Sequence, residues 1–165
     1  MRKYLVVLAL FGFLSCDQAP QTGSVAVNVR VSGCQGFKSL GKTALTPYVQ
    51  DSAEYCAAEK LRWSYRAADR TLEVLHTRKP ENCAARLELS VQKLEDGSYR
   101  LQEINTSTVS ARCMCCFDTY CELPDIAVGS VSLVLDSLVC KLSTAQGSGV
   151  FVLDTSTLVF CHGAR

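Results

Sequence analysis

The sequence predicts an all-β domain, an antiparallel β-sandwich or open barrel of about eight strands that disulfides staple together. Short segments in which apolar and polar residues alternate recur along the chain, as in half-buried strands. Turn-forming residues separate these segments, and no strand–helix alternation indicates a nucleotide-binding fold. Ten cysteines in 165 residues add the expectation of disulfide bonds. No change of composition divides residues 24–165, which we assign to this single domain.

The first part of the domain contains one strand and a long loop. Four valines at alternate positions between Val25 and Val31 predict a half-buried strand. Residues 33–47 lose this period and contain three glycines and Pro47, which predicts a loop. Residues 52–60, with Ser52 as the N-cap, predict a short helix.

Two hairpins follow in the middle of the chain. Each consists of two segments rich in β-forming residues around a short polar connection: residues 61–66 with 71–77, and residues 87–92 with 99–104. The second connection contains Asp96-Gly97, a dipeptide suited to the positive φ of a hairpin turn.

The last part of the domain supplies the remaining strands. They are predicted over the cysteine-containing segment 112–123, the alternating run 131–135 and two short apolar runs, 150–153 and 158–161. The apolar stretch 126–140 is not a membrane span, because serine, glycine and aspartate residues interrupt it with the alternation of a strand.

The first sixteen residues have the layout of a secretory signal. Arg2 and Lys3 precede an apolar run that ends at a small residue, Ser15, directly before Cys16. This end resembles the lipobox of bacterial lipoproteins, although Phe13 stands where leucine, valine or isoleucine is usual. The resemblance implies a signal peptide over residues 1–15 and a lipid such as palmitate on Cys16. Residues 16–23 would then be the anchor and tether, and the secreted domain would lie on the periplasmic or surface side of a bacterial membrane.

Charge and motifs exclude several classes of function. Without Arg2 and Lys3 the chain has 15 basic against 16 acidic residues, so it lacks the basic surface that nucleic acid requires. Phosphate-binding loops, metalloprotease motifs and serine-hydrolase motifs are absent from the sequence. We therefore expect no cofactor, no catalytic residue and no enzymatic activity. His76 is interpreted as a structural or surface residue, and Glu103 and Asp118 as solvated carboxylates. The protein or small-molecule partner stays open.

Nine cysteines remain after Cys16, and their odd number leaves at least one outside intramolecular disulfides. The candidates for disulfide formation are Cys34, Cys56, Cys83, Cys113, Cys115, Cys116, Cys121, Cys140 and Cys161. In an unbroken strand, cysteines two residues apart lie roughly 6.5–7 Å from each other, too far for a direct bond. The cysteines of 113–121 should therefore reach partners on other strands or loops. Their pairing cannot be read from the sequence.

Two alternatives to structural disulfides remain for this segment. Thiolates are good ligands for zinc or copper, and a soft-metal site could use Cys113, Cys115, Cys116 and Cys121 with His162. Cys113 and Cys116 also form a C-x-x-C pair, as in thiol–disulfide exchange proteins, but the helix and βαβ setting of that motif are not predicted. A cysteine nucleophile with His76 or His162 as its base has less support still.

Part of the chain resembles a functionally uncharacterised family of small, cysteine-containing bacterial secreted proteins and lipoproteins. The resemblance covers residues 72–135 through the segments Leu72–His76, Asn82-Cys83, Leu87–Leu89, Leu101–Glu103, Cys113-x-Cys115-x-Phe117-Asp118 and Gly129. Members often have two cysteines after the asparagine, whereas Ala84 follows Cys83 here, and Cys116 and Cys121 are additional. The resemblance implies a β-rich, cysteine-stapled, lipid-anchored domain without an assigned activity.

Overall fold

The computed structural model describes residues 24–37, 40–45 and 59–154 of the chain. They form nine strands and one three-residue 3-10 helix. The strands are β1 (Val27–Val31), β2 (Glu59–Arg66), β3 (Thr71–Asn82), β4 (Leu87–Lys93), β5 (Tyr99–Asn105), β6 (Met114–Leu123), β7 (Ser130–Leu135), β8 (Leu138–Ser143) and β9 (Ser148–Asp154). The 3-10 helix, Thr144–Gln146, connects β8 to β9. The all-β prediction is confirmed.

Two sheets pack face to face. Sheet A has the order β1-β6-β3-β2-β9 and is antiparallel throughout, and sheet B has the order β4-β5-β7-β8. Sheet B differs from the antiparallel prediction at one place, because β5 and β7 are parallel. The chain leaves β5, forms β6 in the other sheet and returns as β7, a crossover that permits the parallel pairing. The nine described strands do not close into a barrel, so the domain is a sandwich.

Both predicted hairpins are confirmed. Strands β2 and β3 pair in register from Lys60↔Thr77 to Arg66↔Thr71. Strands β4 and β5 pair from Leu87↔Asn105 to Lys93↔Tyr99, and Gly97 in their turn has a φ of 80°. A positive φ is inexpensive for glycine, which explains why the Asp-Gly dipeptide predicted this turn.

Strand β1 departs from its predicted alternation. Its pairing with β6 shifts register between Val27 and Arg30, and Asn28 between them has a φ of 50°. This bulge turns Val27 and Val29 toward solvent instead of into the sandwich. Val25 and Val31, on either side of the bulge, pack against the core as predicted.

Two further elements differ from the sequence predictions. The predicted helix over residues 52–60 is wrong at its end, because Glu59 and Lys60 belong to β2, and residues 52–58 lie outside the described part. Strand β8 was not predicted. It follows β7 after only Asp136 and Ser137, and Asp136 adopts a φ of 52° without the glycine that usually marks such a turn.

The main core lies between the two sheets. Inward-facing side chains of both sheets form one cluster around Trp63 and Val74 of sheet A and Leu101 and Leu133 of sheet B. At one end of this core, the buried hydroxyl of Tyr65 donates a hydrogen bond of 2.9 Å to the carbonyl oxygen of Ile126. No helix in the described residues is long and apolar enough to cross a membrane. The predicted signal peptide, Cys16 and the tether lie outside those residues.

Candidate functional site

Two disulfides hold the beginning of β6. Cys115 bonds to Cys34 in the loop after β1, and Cys113 bonds to Cys83 just after β3. Their Cα atoms are 5.4 and 5.6 Å apart, ordinary separations for disulfides. Each bond joins β6 to a different part of the chain, and neither joins cysteines that are neighbours within the strand.

Phe117 is the aromatic residue that follows these cysteines, and it is an apolar anchor for β6. Its side chain is buried in a small apolar cluster with Cys115 of the same strand and Leu87 of sheet B. Val31, Cys83 and Ala85 pack against this cluster. The segment Cys113-x-Cys115-x-Phe117 therefore combines two covalent links with one apolar anchor on the inner side of the strand.

Asp118 fixes the loop after β1 to the sheet. Its carboxylate oxygens accept hydrogen bonds from the backbone N–H groups of Phe37 at 2.9 Å and Arg78 at 3.0 Å. Its own backbone N–H donates to the hydroxyl of Ser32 at 2.8 Å. Asp118 is buried, so its interpretation as a solvated carboxylate is wrong, and burial raises the pKa of its carboxyl group. It satisfies backbone donors where the β3–β6 pairing is irregular, between His76 and Lys79.

The other described cysteines lie in the interior. Cys121 and Cys140 carry buried thiols that belong to no disulfide. Burial raises the pKa of Cys121 to about 12 and also raises the pKa of Cys140. Since the thiolate is the nucleophile, these neutral thiols are unreactive at ordinary pH. Cys116 is buried too, with the guanidinium of Arg78 3.8 Å from its sulfur.

The positions of these cysteines bear on the soft-metal and thiol-exchange alternatives for residues 113–121. Cys113 and Cys115 are oxidised, so a soft-metal site with all four thiolates of the segment would require both disulfides to be reduced. Within residues 24–37, 40–45 and 59–154, no three histidine, cysteine, aspartate or glutamate side chains are arranged to hold a metal ion. Cys113 pairs with Cys83 and not with Cys116, and both residues of the C-x-x-C lie in or beside a strand. Cys16, Cys56, Cys161 and His162 lie outside the described residues.

A group of hydrogen-bonded charges that the sequence did not reveal lies between the sheets. His76 on β3 is 1% exposed, and its two ring nitrogens contact carboxylates on two other strands. Nδ1 lies 2.9 Å from Glu103 of β5 in sheet B, and Nε2 lies 2.7 Å from Glu59 of β2. Glu103 also accepts a hydrogen bond from the hydroxyl of Thr119, and its other oxygen lies 3.4 Å from Nζ of Lys79. We call His76, Glu59, Glu103, Thr119 and Lys79 the inter-sheet charge cluster.

Electrostatics keeps His76 doubly protonated. Burial alone would lower the pKa of its imidazole, but the hydrogen bonds and charges of Glu103 and Glu59 outweigh burial and raise this pKa to about 9. Burial would likewise raise the pKa of Glu103, but His76, Thr119 and Lys79 lower it overall. An imidazolium that donates from both nitrogens has no lone pair for general-base catalysis. The cluster therefore joins β3 and β2 to β5, and neither ring nitrogen of His76 is left to act as a base.

The expected solvation of Glu103 is wrong, and a strand pattern explains why. Leu72 and Val74 point into the core, so His76 at the next alternate position must also point inward. Glu103 has the same relation to Leu101 on β5. Continuing the inward alternation past the last apolar residue would have identified both side chains.

The outer face of sheet A carries a second group of polar residues beneath the loop after β1. Arg66 forms ion pairs with the fully buried Glu73 and, at 3.4 Å, with Glu122. The hydroxyl of Tyr120 donates to Glu122 at 2.8 Å, and the guanidinium of Arg30 lies 4.7 Å from the centre of the Tyr120 ring. Leu40 and Leu45 of the loop pack against Leu75 and Tyr120 on this face. These contacts position the loop.

A surface cleft follows the second half of β5. It has a volume of about 370 Å³ and is lined by residues 100–104 and Asp136. Strand β7 pairs with β5 only from Tyr99 to Leu101, so the cleft begins where β7 ends. Glu103 connects it to the inter-sheet charge cluster.

No protein-family model, curated protein or solved structure matches the chain.

Proposed function

We propose that the chain is a bacterial envelope lipoprotein, anchored through a lipid on Cys16, whose disulfide-stabilised β domain has a structural or binding role and no catalytic one. The observation that carries this proposal is the pair of disulfides Cys34–Cys115 and Cys83–Cys113. Disulfides form and persist in oxidising compartments, and the leader that precedes Cys16 is of the kind that directs export to one.

The non-catalytic role is supported by the use that the fold makes of its reactive side chains. His76 gives both nitrogens to carboxylates, Asp118 accepts backbone hydrogen bonds, and the thiol of Cys121 is buried and neutral. Each of these groups either forms hydrogen bonds within the interior or fills space there. The resemblance of residues 72–135 to cysteine-containing secreted proteins and lipoproteins supports a cysteine-stapled, lipid-anchored β domain and assigns it no activity.

The anchor is tested by producing the full chain in a bacterial host that is fed a labelled fatty acid. The unmodified chain should incorporate label and sediment with membranes. Cys16→Ser should abolish both, because serine offers no thiol to the lipid. Ser15→Gly is the matched control, since it keeps a small residue before the cysteine and should still be labelled.

The compartment is tested in the same cells by alkylating thiols before any reduction. Cys34, Cys83, Cys113 and Cys115 should resist alkylation in the exported chain and react only after a reductant is added. A chain that carries no lipid, or whose four cysteines react at once, would contradict the proposal.

A further inference from the structure

Strand β5 has an unpaired edge inside sheet B, at the surface cleft. Strand β4 pairs with β5 from Tyr99 to Asn105, but β7 pairs with it only as far as Leu101. The β7–β8 turn at Asp136 and Ser137 then takes the chain away from β5. Among the described strands, none fills the gap beside the second half of β5. The cleft of about 370 Å³ begins in this gap.

The hydrogen-bond pattern shows which backbone groups of β5 face the cleft. Val91 of β4 binds the segment before β1 through its C=O and N–H, so these groups point away from β5. In an antiparallel ladder, two opposite residues point their backbone groups either both toward or both away from each other. Leu101, opposite Val91, therefore points its N–H and C=O toward β7. Glu103 and Asn105, at the next alternate positions, point theirs into the gap.

The backbone of Glu103 and Asn105 is accessible to a ligand. The side chain of Glu103 is 1% exposed, yet the residue as a whole is half-buried, so its exposed surface belongs to the main chain. Within the part of the chain that the structure describes, no backbone hydrogen bond engages the N–H or C=O of either residue. The alternating donors and acceptors of such an edge match the backbone of an extended peptide.

The charges at the end of the cleft nearest β7 favour a cation. Within the inter-sheet charge cluster, His76 and Lys79 balance Glu59 and Glu103. The carboxylate of Asp136 remains in excess, 74% exposed and 3.8 Å from Nζ of Lys79. Because β7 and its turn block this end, a peptide strand in the gap must begin or end here. An α-ammonium group would be attracted to Asp136, whereas an α-carboxylate would be repelled.

The other cation that lines the cleft lies toward a different carboxylate. Arg100 is one residue before the point where the β7 pairing ends, and its charge lowers the pKa of Asp96 in the β4–β5 turn. That turn lies beyond the beginning of β5, away from Glu103 and Asn105. The excess negative charge therefore remains at the blocked end of the cleft.

We propose that the cleft binds the N-terminal end of an extended peptide, which runs parallel to β5 in the line that β7 leaves, with its α-ammonium group beside Asp136. The second residue of the peptide then lies opposite Ile104. Its N–H donates to the C=O of Glu103, and its C=O accepts from the N–H of Asn105. The side chain of Ile104 is 50% exposed on the outer face, so an apolar side chain fits beside it.

The size of the cleft limits the ligand to a few residues. Its volume is at the lower end of the range of about 300–1,000 Å³ that is typical of small-ligand sites. The first side chain of the peptide faces the inter-sheet charge cluster and should therefore be small. This inference specifies the binding role proposed above. The lipid and disulfide tests do not involve the cleft, so either proposal can fail while the other stands.

Titration of the full chain with alanyl-valyl-alanine amide, a peptide with a free amino terminus, tests the proposal. The Kd should be about 1 mM or tighter. Acetylation of the peptide amine should weaken binding about tenfold or more, because it removes the charge and adds bulk at the blocked end. Methylation of the valine amide nitrogen should also weaken binding, because it removes the donor to Glu103.

Two matched variants test the role of Asp136. Asp136→Asn should weaken binding about fivefold, the upper range for an exposed ion pair, and asparagine tolerates the φ of 52° in this turn. Asp125→Asn is the control and should leave binding unchanged. Asp125 is also an exposed aspartate with positive φ, but it pairs with Arg70 in the β2–β3 turn, at the other end of β3 from Lys79.

Hydrogen exchange locates the bound peptide. With peptide at about ten times its Kd, the amide of Asn105 should exchange about tenfold more slowly, while the amide of Gln102, which faces β4, should not change. Absence of binding, equal affinity for the free and acetylated peptides, unchanged binding by Asp136→Asn, or unchanged exchange at Asn105 would each overturn the proposal.

Discussion

Raising the pH from about 6 to about 8.5 should destabilise the domain through His76. Its pKa rises from 6.5 to about 9 in the folded protein, which corresponds to roughly 3 kcal/mol at about 1.4 kcal/mol per pKa unit. Because the folded pKa is the higher one, this contribution is fully present below pH 6.5 and is lost as the pH rises through 9. About 2 kcal/mol of the free energy of unfolding should be lost between the two pH values.

Glu103 sets the lower limit of the pH range in which the inter-sheet charge cluster is most stabilising. Its folded pKa is lowered from 4.5, so its contribution is present above pH 4.5 and is lost as the pH falls through the folded pKa. The inter-sheet charge cluster is therefore most stabilising from about pH 4.5 to 6.5. Glu103→Gln should remove the larger of the two carboxylate contributions that hold His76 protonated, leaving only Glu59, and cost roughly 3–5 kcal/mol near pH 6.

Chemical denaturation at both pH values measures these effects on the full chain and on two variants. Glu103→Gln should abolish most of the pH dependence between pH 6 and 8.5. Glu88→Gln is the control, because Glu88 is an exposed glutamate on the neighbouring strand β4 and should leave that dependence unchanged. An equal loss of stability with pH in the full chain and in Glu103→Gln would refute the assignment of His76 as the responsible group.

Four other substitutions test packing, covalent links and buried polarity. Gly149→Ala should cost roughly 1–3 kcal/mol and shift the Trp63 fluorescence, because a Cβ would lie 2.8 Å from the indole ring; Tm and emission spectra measure both. Cys34→Ser should lower the free energy of unfolding more than Cys83→Ser, because the two bonds span 81 and 30 residues. Loop entropy gives losses of about 4.5 and about 3.6 kcal/mol, which denaturant titrations measure. Asp118→Asn should cost roughly 1–3 kcal/mol because an amide NH₂ replaces one of two acceptors for backbone N–H groups, and faster exchange of those amides would show it.

Most strands could be predicted because one physical rule governs them. Both central hairpins have an apolar inner face, polar connections and, at Gly97, a residue suited to positive φ. The β1 bulge and the β7–β8 turn could not be predicted in this way. Asn28 and Asp136 adopt positive φ without being glycine, at positions that tertiary pairing selects.

The site was less predictable than the fold. The sequence indicated that cysteines two residues apart on β6 should bond to other segments, but pairing depends on which strands become neighbours in space. The inter-sheet charge cluster joins His76 to Glu103 of the other sheet, 27 residues away. No local pattern encodes that distance, although inward alternation marks both residues as buried.

The order of side chains along β6 shows why the disulfides lie where they do. Cys121 and Leu123 belong to the large core cluster, whereas Cys115 and Phe117 belong to the small one around Leu87. Thr119, the member of the inter-sheet charge cluster on β6, lies between the two apolar clusters. In the described residues the small cluster has three buried members against sixteen in the large one, and disulfides most benefit structures with a limited core. Both described disulfides start at this end of β6, so covalent links stabilise the part of the sandwich that the hydrophobic core supports least.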